Sequence, residues 1–240
     1  MKRVAAIQSS YIPWRGYFDI IGLVDEFILL DEVQYTKRDW RNRNRVKTAQ
    51  GPIWLTISVQ VKGRYTQRVD EVQIADRGWA ERHWQTLRQS YASAPCFDAV
   101  ADGIAAMYEE AAGLERLSDA NRLFLEGLCP MLGIETKLSW STDYASTGSK
   151  TERLATICDQ ADADEYVSGP AARAYLDEDV FASRGIAVRW MDYEGYPEYD
   201  QVHPPFEPGV SIVDLLFNTG FDAPHYMRHA GAQRPSGTER

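Results

Sequence analysis

Between Gln34 and Lys47 the chain gathers six cations, Lys37, Arg38, Arg41, Arg43, Arg45 and Lys47, within a sequence whose formal net charge is -9. Like charges this close repel one another. An acidic chain that keeps them together points to an anion held there, such as a phosphate, a diphosphate or a carboxylate. Arginine suits phosphate because its planar guanidinium can grip two oxygens at once. Tyr35 and Trp40 add stacking surface, and Gln34, Asn42 and Asn44 add amides that a merely solvated run of charge would not need. The plainer reading is a basic loop or edge strand forming surface ion pairs with some of the 35 acidic residues. Asp31 stands three residues ahead of this segment. A carboxylate beside cations stays ionised and can serve as a base, an acceptor for sugar hydroxyls or a magnesium ligand; its structural alternative is to cap or turn the chain.

Other residues offer chemistry with a structural alternative attached. His83 could take a proton from an attacking amine, but its helical spacing from Trp79 and Leu87 also suits a packing histidine. Asn121 interrupts an apolar helical face between Leu117 and Phe124, where its amide could meet a ligand or the backbone. Lys150 lies at a helix start, where free amides attract anions. A capping box over Ser149-Lys150-Thr151-Glu152 explains the serine without a ligand. This is no phosphate-binding loop, since Ser149 separates Gly148 from Lys150 and Asp143 stands where the first glycine would be. Cys96, Cys129 and Cys158 are odd in number and widely spaced, which supports neither a disulfide framework nor a zinc site. Three of the four histidines, His203, His225 and His229, come late and without metal-ligand spacing, so no metal site is expected, and no residue pattern names a cofactor.

A chain of 240 residues can bury a substantial core. We expect one α/β domain over residues 1–229, and residues 230–240 read as a disordered tail. There is no apolar run near the roughly 20 residues a membrane span needs and no signal-peptide core after Met1-Lys2-Arg3, so a cytoplasmic protein is expected. A pI near 5.0 argues against a duplex-DNA binder, which draws its affinity from a broad basic face.

Periodicity supplies the elements that would position these residues. Val4 to Ile7 reads as a strand, Gly16 to Val24 as a helix, and Phe27 to Leu30 as a strand buried on both faces, giving a β-α-β unit. Ile53 to Val59 alternates as a half-exposed strand does, with Val72 to Ile74 as a nearby pairing partner. Amphipathic helices are expected over Trp79 to Tyr91 and from about Ser118 to Leu132, which makes the middle of the chain helical. Glu165 to Ser168 and Ile186 to Trp190 read as strands around a helix near Ala171 to Ser183. A last helix opens at Ser211 and closes at Gly220, and the proline-rich Tyr196 to Pro208 segment reads as an ordered loop or lid. The fold class is therefore α/β, with a mainly parallel Rossmann-like sheet and a helical middle section. Open parallel sheets bind ligands beyond the carboxyl ends of their strands, where Gln8, Asp31 and Ser168 should share one rim.

Several motifs resemble the WbqC-like protein family. They are Gln8, Ile12-Pro13-Trp14-Arg15-Gly16-Tyr17-Phe18, Asp31-Glu32-Val33-Gln34, Lys37-Arg38-Asp39-Trp40 and Arg43-Asn44-Arg45. Trp54-Leu55-Thr56, Leu117-Ser118-Asp119-Ala120-Asn121, Ser149 to Leu154, Tyr166-Val167-Ser168-Gly169 and Ser211 to Asn218 extend the similarity to about residue 220. Two positions depart from the family pattern: Gln8-Ser9 stands for the usual Gln-Pro pair, and Glu32 for a second aspartate.

The resemblance implies an association with gene clusters for bacterial surface polysaccharides, O-antigen among them, and for natural products. Joined to the basic segment, it points to transfer of an acyl or aminoacyl group onto an amino group such as that of a nucleotide-linked amino sugar. Lys37, Arg38, Arg43 and Arg45 would then hold phosphates of a nucleotide sugar or of a pantetheine-type or RNA-borne donor. Trp40 or Tyr35 would stack on a base, and Asp31 or His83 would take the amine's proton. Gln8, Tyr17, Gln34, Asn44, Asn121, Lys150 and Ser168 complete the candidate substrate-binding positions. Expected partners are a phosphate-bearing small molecule or acyl donor, with transfer RNA as a further candidate and duplex DNA excluded. Two other classes stay open. The helix start Pro13-Trp14-Arg15-Gly16-Tyr17 suggests an ATP-dependent nucleotidyl-transferring or ligase-type enzyme, although the paired histidines of such enzymes are absent. A non-catalytic module binding a nucleotide sugar or RNA would need Arg43 but not Asp31.

Overall fold

The computed structural model describes residues 1–146, 148 and 150–229. Five parallel strands form the central sheet: β1 (Arg3–Ile7), β2 (Glu26–Leu29), β5 (Lys137–Trp140), β6 (Glu165–Ser168) and β7 (Ala187–Trp190). Their order is β5-β2-β1-β6-β7, so the chain winds outward from β1 in one direction and then crosses back to begin the other half. This is the Rossmann-like arrangement expected from the alternation of strands and helices.

The unbroken apolar runs of β1 and β2 arise because both sheet faces are covered. Ala5, Phe27, Leu29 and Val167 point into the larger core with α1 (Arg15–Leu23), α2 (Trp79–Tyr91), α3 (Phe97–Ala111), α4 (Leu117–Met131) and α7 (Ile212–Thr219). Val4, Ala6, Ile28 and Tyr166 point the other way, against α5 (Lys150–Gln160) and α6 (Glu178–Ala182). Side chains alternate between the two cores, so neither face carries a polar stripe.

The basic segment supplies β3 (Arg43–Thr48), which pairs antiparallel with β4 (Gly51–Thr56) in a separate two-stranded ribbon. The expected burial alternation holds at Leu55 and Ile57 but not at Ile53, which lies at the exposed tip. Val59 meets Ile74 in an isolated antiparallel bridge. Helix α3 and strand β5 are additions to the expected elements. The single helix expected near Ala171 to Ser183 is instead a 3-10 turn, Pro170–Ala174, followed by the short α6. Asp177 separates them, because its carboxylate accepts from the Asp179 N–H and opens α6 afresh.

Ser211 caps α7 by accepting from the Val213 N–H, and Gly220 ends it at φ +58°, ψ -135°. A Cβ at Gly220 would also lie 3.1 Å from the Cβ of Cys96. The segment from Tyr196 to Pro208 is strapped down: Tyr196 donates to Asp19 at 2.6 Å, and Tyr199 and Gln201 donate to Asp214 at 2.7 and 2.8 Å. Ser149 of the expected capping box and the expected tail at 230–240 fall outside the described residues. Among the described residues no helix is long and apolar enough to cross a membrane.

Candidate functional site

The loop that leaves β1, residues 8–14, is held in place largely by the basic segment. Arg41 Nη1 donates to the carbonyls of Gln8 (2.8 Å) and Ser9 (3.3 Å) and to Ser10 Oγ (2.9 Å). The buried Asn44 donates to the carbonyls of Tyr11 and Ile12, and the Tyr17 hydroxyl donates to Gln8 O at 2.8 Å. Two of the polar groups that look like ligand-binding groups in sequence therefore satisfy loop carbonyls, which would otherwise be buried without partners.

Asp31 lies just past the carboxyl end of β2 and is 1% exposed. Its Oδ1 accepts the Ser9 N–H at 2.8 Å, while its Oδ2 is buried with no hydrogen-bond partner. Burial pushes its pKa up to about 6. The Ser9 hydrogen bonds and the Arg41 charge oppose that rise, and the Asp70 charge adds to it. At neutral pH the group is an ionised carboxylate with one oxygen free, poised near the pKa a general base requires.

Two cavities lie on the carboxyl rim. The first, about 480 Å³, opens where the strand order reverses between β1 and β6. Trp14, Tyr17, Trp40 and Tyr193 give it ring walls, and Arg41 and Arg45 set cations at its edge. The second, about 220 Å³, lies over the ends of β2 and β5 and includes Asp31, Glu32, Asp70, Asp119 and Arg116. Adjacent loop residues join them: Ser9 holds Asp31 in the second, and Ser10 lines the first. Among the described residues no group of three or more His, Cys, Asp or Glu side chains is arranged to hold a metal ion.

The structure gathers most of the sequence candidates at this rim. Tyr17, Trp40, Asn44 and Arg45 line the first cavity, Gln8 offers its carbonyl to Arg41 in the adjoining loop, and Ser168 is buried at the end of β6. Asn121, wholly buried, donates to Ser9 Oγ at 3.0 Å and to the Arg41 carbonyl at 2.9 Å, so it braces the partition between the cavities. Arg45 donates to the Gly209 carbonyl and lies 3.4 Å from Glu207. Arg43 stacks over Trp54 with its guanidinium carbon 4.1 Å from the ring centroid, and Trp54 tilts against Trp40 at 5.4 Å. Trp40 and Trp54 are each 44% exposed, leaving an open aromatic face beside the first cavity. Lys37, Arg38 and Gln34 lie on the exposed turns before β3; Lys37 lies over Tyr65, and Gln34 donates to the Tyr65 carbonyl.

Gln34, Lys37, Arg38 and Arg43, although expected to bind substrate, line neither cavity, and two further candidates lie apart from the rim. His83 lines neither cavity; its Nδ1 is bonded to the Tyr11 hydroxyl at 2.9 Å, which is bonded in turn to Tyr108 at 2.6 Å. Burial pushes its pKa down to about 4. Lys150 is exposed at the start of α5, 5.8 Å from the centroid of the Tyr175 ring, and also lines neither cavity. Sequence reasoning gave no individual role to Arg41, Trp14 or Arg116. The position of Arg41 inside the basic run was the available signal for it.

The profile of the WbqC-like protein family matches residues 8–226, a span that contains Asp31 and every residue lining the two cavities except Ile7. The chain belongs to the WbqC-like protein family. It is 54% identical over 229 residues to the "uncharacterized protein Rv1507c" of Mycobacterium tuberculosis, covering 95% of this chain and 99% of that one. No solved structure matches. The two cavities and Asp31 of this WbqC-like protein are thus framed by its own geometry.

Proposed function

We propose that this WbqC-like protein is a biosynthetic transferase that moves an acyl or aminoacyl group onto an amino group, with one substrate bearing phosphates as a nucleotide-linked amino sugar does. The observation that carries the reading is the buried, unpartnered Oδ2 of Asp31 in an acidic cavity, one loop residue from a cavity walled by rings and edged by arginines. An acidic cavity attracts an amine, and a cationic aromatic one suits a nucleoside with its phosphates. The acceptor's ammonium first loses one proton to solvent; the neutral amine then attacks the carbonyl carbon of the donor, a C–N bond forms, and the bond from that carbon to the carrier oxygen or sulfur breaks. Asp31 takes the proton from nitrogen and returns it to the leaving atom, ending unchanged. A cytoplasmic site of action fits nucleotide-linked and coenzyme-linked substrates.

A thermal-shift series with a uridine-diphosphate amino sugar, acetyl-coenzyme A, ATP with magnesium, and transfer RNA tests the binding half. A ligand specific for the folded state raises the melting temperature. The reading expects a shift from the nucleotide sugar or the thioester that Trp40→Ala reduces, since removing a stacking ring costs about 1–3 kcal/mol. No shift from either, or a shift indifferent to Trp40, counts against it.

A further inference from the structure

The acidic cavity also contains features that an amine alone does not require. Arg116 lines it and has no carboxylate within 4.0 Å among the described residues. Arg116 is also the N-cap of α4, a helix of 15 residues, so the first N–H groups of α4, at Ser118 and Asp119, belong to the same cavity lining as Arg116. Helix N-termini and guanidinium groups together favour a carboxylate or phosphate oxygen. Asp31 lines the same cavity, its buried Oδ2 has no partner, and Glu32 Oε2 is likewise unpartnered. Asp70 is already committed, because both its oxygens accept from Arg68. The cavity lining thus combines groups that suit an anion with carboxylates, Asp119 among them, that suit a cation, and its volume of about 220 Å³ suits a small molecule rather than a polymer.

We infer that this cavity is a zwitterion subsite, which takes an ammonium at Asp31 and a carboxylate at Arg116 and the amino end of α4, the two groups separated by one or two carbons. A free α- or β-amino acid has this chemistry, as does the head of an amino-uronic sugar. The inference deepens the transferase reading by naming the amine-bearing substrate, and it rests on that reading only for the fate of the amine. Binding itself can be measured without any transfer.

The experiment is ligand-detected NMR titration of the full chain with glycine and β-alanine, with methylamine and acetate as single-charge controls. A second arm uses a uridine-diphosphate amino sugar with and without a carboxylate on the ring. Wild type should bind at least one zwitterion about 10-fold more tightly than either control, the ratio that one charge-assisted contact of about 1.4 kcal/mol provides. Arg116→Gln, at an exposed position, should remove that advantage. Tighter binding of the carboxylated nucleotide sugar than of the free amino acids identifies the sugar head as the source of the zwitterion; the reverse identifies the free amino acid. Equal binding of methylamine and glycine, an Arg116→Gln variant that binds glycine as wild type does, or no binding of any zwitterion overturns the inference. Transfer to an amine without a carboxylate would then leave the transferase reading standing, whereas zwitterion binding with no transfer from any donor would remove the transferase reading and leave the subsite.

Discussion

Replacing Asp31 by asparagine should stabilise the fold at neutral pH while removing the proposed base. A carboxyl whose pKa rises from 3.8 to about 6 on folding makes folding less favourable above that pH by about 3 kcal/mol, at about 1.4 kcal/mol per pH unit. The sign follows from protons: between the two values the folded state binds more of them than the unfolded state. Wild type therefore gains stability from this group as pH falls from 6 towards 4, and lacks that gain at pH 7.5. Asparagine keeps an oxygen for the Ser9 N–H but puts an amide where Oδ2 has no partner, which takes back about 1–2 kcal/mol. The net expectation at pH 7.5 is a gain of about 1–2 kcal/mol, or roughly 2–8 °C in Tm for a chain of this size. Urea unfolding of both proteins from pH 4 to 8 measures it. The difference between them should shrink and reverse as pH falls through 6, because the wild-type penalty is relieved there. A variant less stable than wild type at pH 7.5, or a difference that does not vary with pH, refutes the reasoning about Asp31.

Other substitutions test neighbouring parts of the account. His83 has a pKa lowered from 6.5 to about 4, so its contribution is intact above pH 6.5 and lost as pH falls towards 4, about 3 kcal/mol in all. In His83→Gln, the urea midpoint should vary less over that range than in wild type. Arg41→Gln removes the charge that holds the Asp31 pKa down, so the Asp31 carboxyl should titrate at a higher pH by carbon-13 NMR. The same variant loses the grip on the β1 loop, at about 1–3 kcal/mol by urea unfolding. Gly220→Ala puts a side chain at φ +58° and against Cys96, with an expected cost of about 1–3 kcal/mol by the same measurement.

Four of the five strands of the sheet were legible because they carry clear apolar runs; β5, Lys137–Trp140, was not expected. Phe27 to Leu30 lacks polar alternation for the reason the structure displays, two cores on two faces. The last helix was equally legible, because Ser211 and Gly220 mark its ends through local chemistry. The basic segment was harder to interpret. Its charges look alike in sequence, yet Arg41 and Asn44 bond the carbonyls of a loop about 30 residues earlier, while Lys37 and Arg38 face solvent. Only the tertiary fold separates the cations that brace from those that face solvent. Helix α3 was missed inside a stretch expected to be helical overall, and the break at Asp177 turned on one side-chain bond to its own backbone. The partnership of Arg116 with Asp31 could not be read at all, because 85 positions of sequence separate two residues that line one cavity.

The most direct test of the account is a mass-spectrometric transfer assay. Purified wild type and Asp31→Asn are each incubated with a panel of acyl and aminoacyl donors and amine acceptors, nucleotide-linked amino sugars included. The account predicts an acceptor whose mass increases by the transferred group, with a rate that falls at least about 100-fold in Asp31→Asn, the usual contribution of a general base. Transfer at the same rate in both proteins, or no transfer by wild type from any donor that it binds, would contradict it.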